Sequence, residues 1–224
     1  MATKMPSQIN PIIRGLLSSQ YFRLFLFAHF IVGATSLYPE GDASKYLVFV
    51  GEKISLSRVQ PNKDEIPFDY QFLAKYRVLE VYRGSYAGDE IEFTVFDHYG
   101  TPGFSEHKHV LLYLEKHDGH FFHSKYQFTP LYKTRDGKWA GAYAAMDYSH
   151  SFNENTKIKP EKIEFLEPVT IDISKYESED IARWFPEPYF QIKDQMAIAV
   201  YGNYIDELFK LKQDGVLKAR GDFQ

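Results

Sequence analysis

From Tyr46 onward, apolar and polar residues alternate with a period of two, the spacing of a strand with one covered face. In YLVFVGEKISLSRV the alternation sets in at Val50. It puts Val50, Glu52, Ile54, Leu56 and Arg58 on one side and Gly51, Lys53, Ser55, Ser57 and Val59 on the other. FDYQFLAKYRVLEVYRG is a long run rich in aromatic and β-branched residues that ends at Gly84. DEIEFTVFDHYG sets Ile91, Phe93 and Val95 against Glu90, Glu92 and Thr94, and HVLLYLEKH is a continuous apolar run. Turn signals separate these runs: Pro61-Asn62, Gly84-Ser85 and Asp118-Gly119. Alternation with short connections predicts an antiparallel barrel or sandwich over residues 46 to about 145. Its expected core is Val48, Val50, Ile54, Val78, Val81, Ile91, Phe93, Val95 and Leu112.

The stretch LEKHDGHFFH holds His117, His120 and His123 in a chain without cysteine. Asp-Gly between two strand-like runs signals a tight two-residue turn. That turn sets His117 opposite His120 and Leu114 opposite His123, the two pairs on opposite faces of the ribbon. A catalytic zinc usually has three protein ligands, so the three histidines are not expected to form one site. His107 and His109 are expected to share a strand face, with no carboxylate at metal-ligand spacing. Asp97 and His98 are neighbours on a strand and point to opposite faces, which keeps them from serving one proton.

Beyond residue 152 the pattern changes. NENTKIKPEK reads as a linker, and KIEFLEPVTIDIS as a short edge strand broken at Pro168. Ser174 with Glu177 suggests a capping box before SEDIARWF, one or two helical turns. NYIDELFKLKQDG is the clearest helix. Asn203 is its expected cap, Asp206 and Glu207 lie in the first turn, Lys210 and Lys212 near the end, and Gly215 is the expected stop. Ile205, Leu208, Phe209 and Lys212 recur at helical spacing, a stripe expected to dock on the barrel. The Arg220-Gly221-Asp222 tail is expected to be solvated.

Ahead of Tyr46 the character is different again. Lys4, Arg14 and Arg23 precede LFLFAHFIVGA, no acid occurs before Glu40, and Val32/Ala34 or Ala34/Ser36 supply the small-residue spacing of a cleavage site. This is the three-part pattern of a secretory signal peptide over residues 1–36. An uncleaved anchor and a buried N-terminal helix fit the same run, though it is short of the roughly 20 residues of a comfortable membrane span. Removing the three basic residues takes the formal charge from −4 to −7. Such a balance disfavours nucleic acid as a partner.

With 224 residues, 44% of them hydrophobic, the chain is long enough for one good core without disulfides or metal. It has no G-x-S-x-G elbow, phosphate-binding loop, dinucleotide glycine fingerprint or H-E-x-x-H pair. No cofactor is expected. Aromatic residues make up 17% of the chain. Tyr132, Trp139 and Tyr143, around a second Asp-Gly turn at Asp136-Gly137, are the candidate binding platform.

In order, VFVGEKISLSRV, YQFLAKYRVLEVYRGSYAGDEIEFTVF and HVLLYLEKHDGHF resemble the netrin-like and tissue-inhibitor-of-metalloproteinases superfamily, over roughly residues 46–125. FTPLYKTRDGKWAGAY resembles the fifth-strand region of its secreted bacterial relatives. The resemblance implies a five-stranded OB-type antiparallel barrel; with the residue pattern it gives a mainly β fold, the barrel over residues 37–152 and a linker, edge strand and short C-terminal α-helical extension packed on it over 153–224. The animal inhibitors chelate the protease zinc through an N-terminal cysteine held by disulfides; this chain has no cysteine, so that chemistry does not carry over. The expectation is an exported, non-catalytic binding module, periplasmic or secreted, that contacts a protein of the same compartment through the barrel loops and the Tyr132–Trp139 hairpin. A glycan or small envelope ligand is the alternative, and a weakly metal-dependent enzyme using His117 and His120 a further one. No stable membrane span is expected after cleavage. Protein recovered from its native exported fraction should begin just after Ala34 or Ser36, which intact-mass measurement decides.

Overall fold

The computed structural model describes residues 45–63 and 66–223. The expected signal peptide over residues 1–36 lies outside them. Five strands form a closed barrel: β1 (Tyr46–Arg58), β2 (Tyr70–Arg83), β3 (Glu90–Asp97), β4 (His109–His117) and β5 (His120–Pro130), in the order β1-β2-β3-β5-β4 with β4 returning to β1. The mainly β class, the five-stranded barrel and the C-terminal helix are as expected. All pairings are antiparallel except β3–β5, a parallel contact at Thr94 and Phe122. Between β3 and β4 a 3₁₀ turn, Gly103–Glu106, buries Phe104 among the barrel's interior side chains.

The β4–β5 turn has the expected register, with His117 opposite His120 and Leu114 opposite His123. Asp118 and Gly119 both have positive φ, 48° and 83°. That is the handedness a two-residue turn needs to match the twist of its strands.

The barrel interior is filled by Leu47, Phe49, Phe72, Ala74, Tyr76, Ile91, Phe93, Val95, Val110, Leu112 and Leu114. Tyr46, Val48 and Val50 of β1 and Leu111 and Tyr113 of β4 point the other way, yet they are buried too. Ile54 departs from the expected core and is 41% exposed. The β1–β2 register shifts at Val50/Gly51 and again at Lys53/Ser55. At the second, Ile54 is passed over without a β2 partner, and this extra residue reverses the inside–outside phase of β1 beyond it: Leu56 packs against the barrel interior although Val50 faces outward. Val78 and Val81 are partly buried against the core.

Of the stretch expected to be the fifth barrel strand, Phe128, Thr129 and Pro130 end β5 and pair with β4, and the rest lies elsewhere. β6 (Tyr132–Lys133) and β7 (Trp139–Ala142) form a hairpin followed by α1 (Ala145–Ser149). Within the expected linker, β8 (Glu161–Lys162) is a short strand. The edge strand appears as β9 (Thr170–Asp172), before α2 (Ser178–Trp184). β10 (Phe190–Lys193), β11 (Met196–Ala199) and β12 (Tyr201–Tyr204) complete two small sheets, β10-β11-β9 and β6-β7-β12-β8. The Ser174 capping box does not form: the residue ahead of α2 is Glu177, without a side-chain cap.

α3 (Ile205–Lys212) has its acids first and its lysines last, as the helix dipole favours. Asn203 does not cap it. It is buried in β12, where its amide donates to the Lys159 carbonyl at 3.2 Å and to Glu207 Oε2 at 2.9 Å. Gly215 kinks the helix instead of ending it. A Cβ there would lie 2.8 Å from Asn153 Nδ2, which donates to the carbonyls of Asp147 and Leu211. The chain continues through α4 (Lys218–Arg220) to Gly221. Arg220 and Gly221 of the tail are exposed and Asp222 is half-buried, but Phe223 beyond them is fully buried, its ring 4.1 Å from that of Tyr46, and its carbonyl accepts from Arg83 and Gln213. Leu208, Phe209, Leu217 and Phe223 thus cover the outward side of β1 and β4.

Replacing Ile91 with Ala should cost ~2–5 kcal/mol and Phe223 with Ala ~3–5 kcal/mol in denaturant titrations. Ile54→Ala should cost about 0.5 kcal/mol or less, since its side chain is already half in water.

Candidate functional site

The three aromatic residues expected to form a platform do not come together. Cross-strand pairing sets Lys133 opposite Trp139 and Tyr132 opposite Ala140, so the period of two sends Trp139 to one side of the hairpin and Tyr132 to the other. Trp139 is only 8% exposed. Lys133 Nζ sits 3.8 Å from its ring centroid, the His109 ring lies 4.9 Å away, and its indole joins the cluster beneath α3. Tyr132 packs edge-on against Phe165, and Tyr143 stacks on Tyr189 at 3.9 Å and on Tyr148 at 5.5 Å, both beside a different cluster. These rings pack the cores.

His117 and His120 are exposed at the hairpin tip, with His117 Nε2 3.2 Å from Glu115 Oε2, while His123 is buried in the barrel. His107 follows the 3₁₀ turn and His109 opens β4, so they do not share a strand face as expected. Among the described residues no three potential metal ligands converge.

A different surface carries the exposed rings. On the outward face of β2 and β3, Gln71 pairs with Phe96 and Leu73 with Thr94, while Thr94 also meets Phe122 of β5. Phe96 and Phe122 are stacked, with centroids 6.5 Å apart. Beyond the end of β3, Asp97 turns inward and accepts from the Tyr99 amide at 2.8 Å, while His98 and Tyr99 turn out. Rings then follow one another: Phe68 on His98 at 4.6 Å, His98 to Tyr99 at 5.3 Å, Tyr99 to Tyr126 at 5.8 Å. Phe68 is 81% and Tyr99 87% exposed. Leu73, opposite Thr94, is exposed on the same face. Further along the strands this face turns charged, with Lys75 on Glu90 and Arg77 on Glu52.

Beside the rings is a hollow of about 280 Å³ lined by Arg58, Gln60, Asp69, Tyr70, Gln71 and Phe96, among others. Arg58 lies over the Tyr70 ring at 4.1 Å. Both Asp69 oxygens accept from Lys125 Nζ at 2.7 Å, and His98 Nδ1 is 3.0 Å from the Phe68 carbonyl.

The ring-lined face rests on an irregularity in β5. Pairing with β4 runs from Leu114–His123 directly to Leu112–Phe128, so residues 124–127 bulge opposite Tyr113. Tyr126, at the outer side of the bulge, has φ 66° and receives the His98 amide on its hydroxyl at 3.3 Å. His123 Nε2 lies 2.9 Å from the Gln127 carbonyl and closes the bulge from within. A carbonyl only accepts, so this nitrogen carries the proton. Burial holds the His123 pKa down at about 4, against the opposing pull of the Gln127 carbonyl, and the ring is neutral. From outside, Arg220 donates to the Lys125 carbonyl at 2.8 Å. Asp69 and Lys125 tie the bulge to the β1–β2 connection.

This face was missed in the sequence although a signal for it exists. The outward set Glu90, Glu92, Thr94 continues to Phe96, an aromatic residue at a position that alternation assigns to water.

No family model matches the chain, and neither a curated protein nor a solved structure matches it.

His123 should make stability depend on pH. The unfolded chain takes up this proton near ~6.5, the folded one only at about 4. Between those values the unfolded state binds more protons, so stability falls as pH falls, by about 3 kcal/mol across the whole window. Burial also lowers the pKa of His107 and His109, which adds a slope of the same sign. Denaturant titrations of wild type and His123→Gln between about pH 7.5 and 4.5 isolate the His123 part, and the variant should show the shallower slope.

Proposed function

We propose that the chain is a non-catalytic binding module, exported to the periplasm or beyond, that meets a protein of the same compartment with the face of Phe68, Phe96, His98, Tyr99, Phe122 and Tyr126. The resemblance to netrin-like barrels belongs to this reading. The observation that carries it is the row of rings left in water, Phe68 and Tyr99 above all, on a barrel that buries its other aromatics well. Exposed aromatic groups of this kind mark contact surfaces. Exposed Leu73 on the same face favours a protein over a glycan, because an aliphatic side chain offers a sugar no ring to stack on. The scaffold also supports binding. The bulge is held from inside by His123 and from outside by Arg220, so little ordering is left to be done on association.

Capture of the partner from the native extracytoplasmic fraction should fall about tenfold for the double variant Phe68→Ala/Tyr99→Ala, the loss expected for hot-spot rings. Its melting temperature should stay unchanged. Trp139→Ala is the contrast: its loss should appear as a lowered melting temperature, ~3–5 kcal/mol of stability, because that ring is core. Equal capture by the double variant and the wild type would move the contact off this face.

A further inference from the structure

We infer that the hollow beside the rings receives an acidic side chain, Glu or Asp, of an extended partner segment whose apolar residues lie on Phe68, Phe96 and Tyr99. This rests on the contact face proposed above and adds the chemistry of what occupies it. Arg58 ends β1, stands over Tyr70 and lines the hollow. The acid in the same lining is engaged by another cation: Asp69 gives both oxygens to Lys125 and faces His98. Among the described residues Arg58 has no carboxylate in ion-pair reach. Stacking on Tyr70 holds the guanidinium plane in place while leaving its forked N–H donors to be satisfied. A carboxylate fits that fork with two parallel hydrogen bonds. Gln60 and Gln71 supply further amide groups in the same lining. The hollow, at about 280 Å³, falls just below the ~300–1,000 Å³ of pockets that enclose drug-sized ligands, and it suits a side chain of a bound segment.

The test uses arrays of amidated heptapeptides with randomised flanks and a central Glu, Asp, Gln or Lys. They are overlaid with the full chain and with its Arg58→Gln, Arg58→Lys and Phe68→Ala/Tyr99→Ala variants. Glu and Asp centres should be retained roughly threefold better than Gln centres, the size of effect an exposed ion pair supports. The preference should fade as salt is added. It should vanish in Arg58→Gln, keep its sign in Arg58→Lys, and leave the melting temperature of both unchanged. Equal retention of Glu and Gln centres by the wild type, or an acidic preference that survives Arg58→Gln, overturns the inference. If all retention is still lost in the ring double variant, the contact face stands and only its acidic selectivity falls. Trigalacturonate in solution is the remaining arm: Arg58-dependent binding of it, with no peptide retained, assigns the hollow to an acidic glycan and overturns a peptide occupant.

Discussion

Everything in the fold depends on the β1–β4 ladder being covered on both sides. Seven consecutive residue pairs, Tyr46–Glu115 through Glu52–His109, join the two strands. Their inward side chains fill the barrel, and their outward ones would leave Tyr46, Val48, Val50, Leu111 and Tyr113 in water. Fully burying one such side chain is worth about 1.5–3 kcal/mol, so bare exposure of the whole set would be prohibitive for a domain with a net stability of ~5–15 kcal/mol. α3, the kink at Gly215 and the Phe223 hook answer that demand, and Tyr82 helps to hold the helix through Asp206 at 2.7 Å. The C-terminal segment is therefore part of the barrel's own core.

The same segment reaches the ring-lined face. Arg220 leaves α4 to bond a carbonyl in the β5 bulge, and on the other side of that bulge stands neutral His123. A tyrosine at φ 66° is a conformation that costs roughly 1–2 kcal/mol for an L-residue. Tyr126 holds it because the backbone on either side is fixed by these bonds. The rings outside the bulge are exposed, and the frame beneath them is packed and hydrogen-bonded.

Much of the barrel was legible because it is written in local rules. The runs that became β1 to β4, the Asp118-Gly119 register and the dipole-matched helix all follow from period, turn chemistry and charge within a few residues. The failures share a cause. Ile54 is the residue passed over at a register shift that shows only when β1 is paired with β2, and the Tyr132–Ala142 stretch left the barrel because β12 was available to pair with β7. Asn203 looked like a cap, but its amide is used by Lys159, 44 residues away, and by Glu207. Trp139 and Tyr132 could be assigned to opposite sides of a hairpin, yet nothing nearby says that both sides are covered. Candidate sites suffer most from this, since an aromatic residue reads alike in sequence whether it fills a core or waits in water. Phe96 was the exception that could have been caught, because its own strand placed it with Glu90 and Glu92.

The stacking of Tyr46 on Phe223 sets a schedule for the chain as it is made. The first barrel strand emerges early, but the helix and hook that shield its outer side come some 160 to 177 residues later. At a synthesis rate of ~5–20 residues per second, that strip of tyrosine and valine stays bare for roughly 10–30 s. Contacts between such distant residues also slow the final collapse. A nascent chain with this timetable has a long interval in which a chaperone could bind the strand, and that interval closes only when Phe223 has arrived.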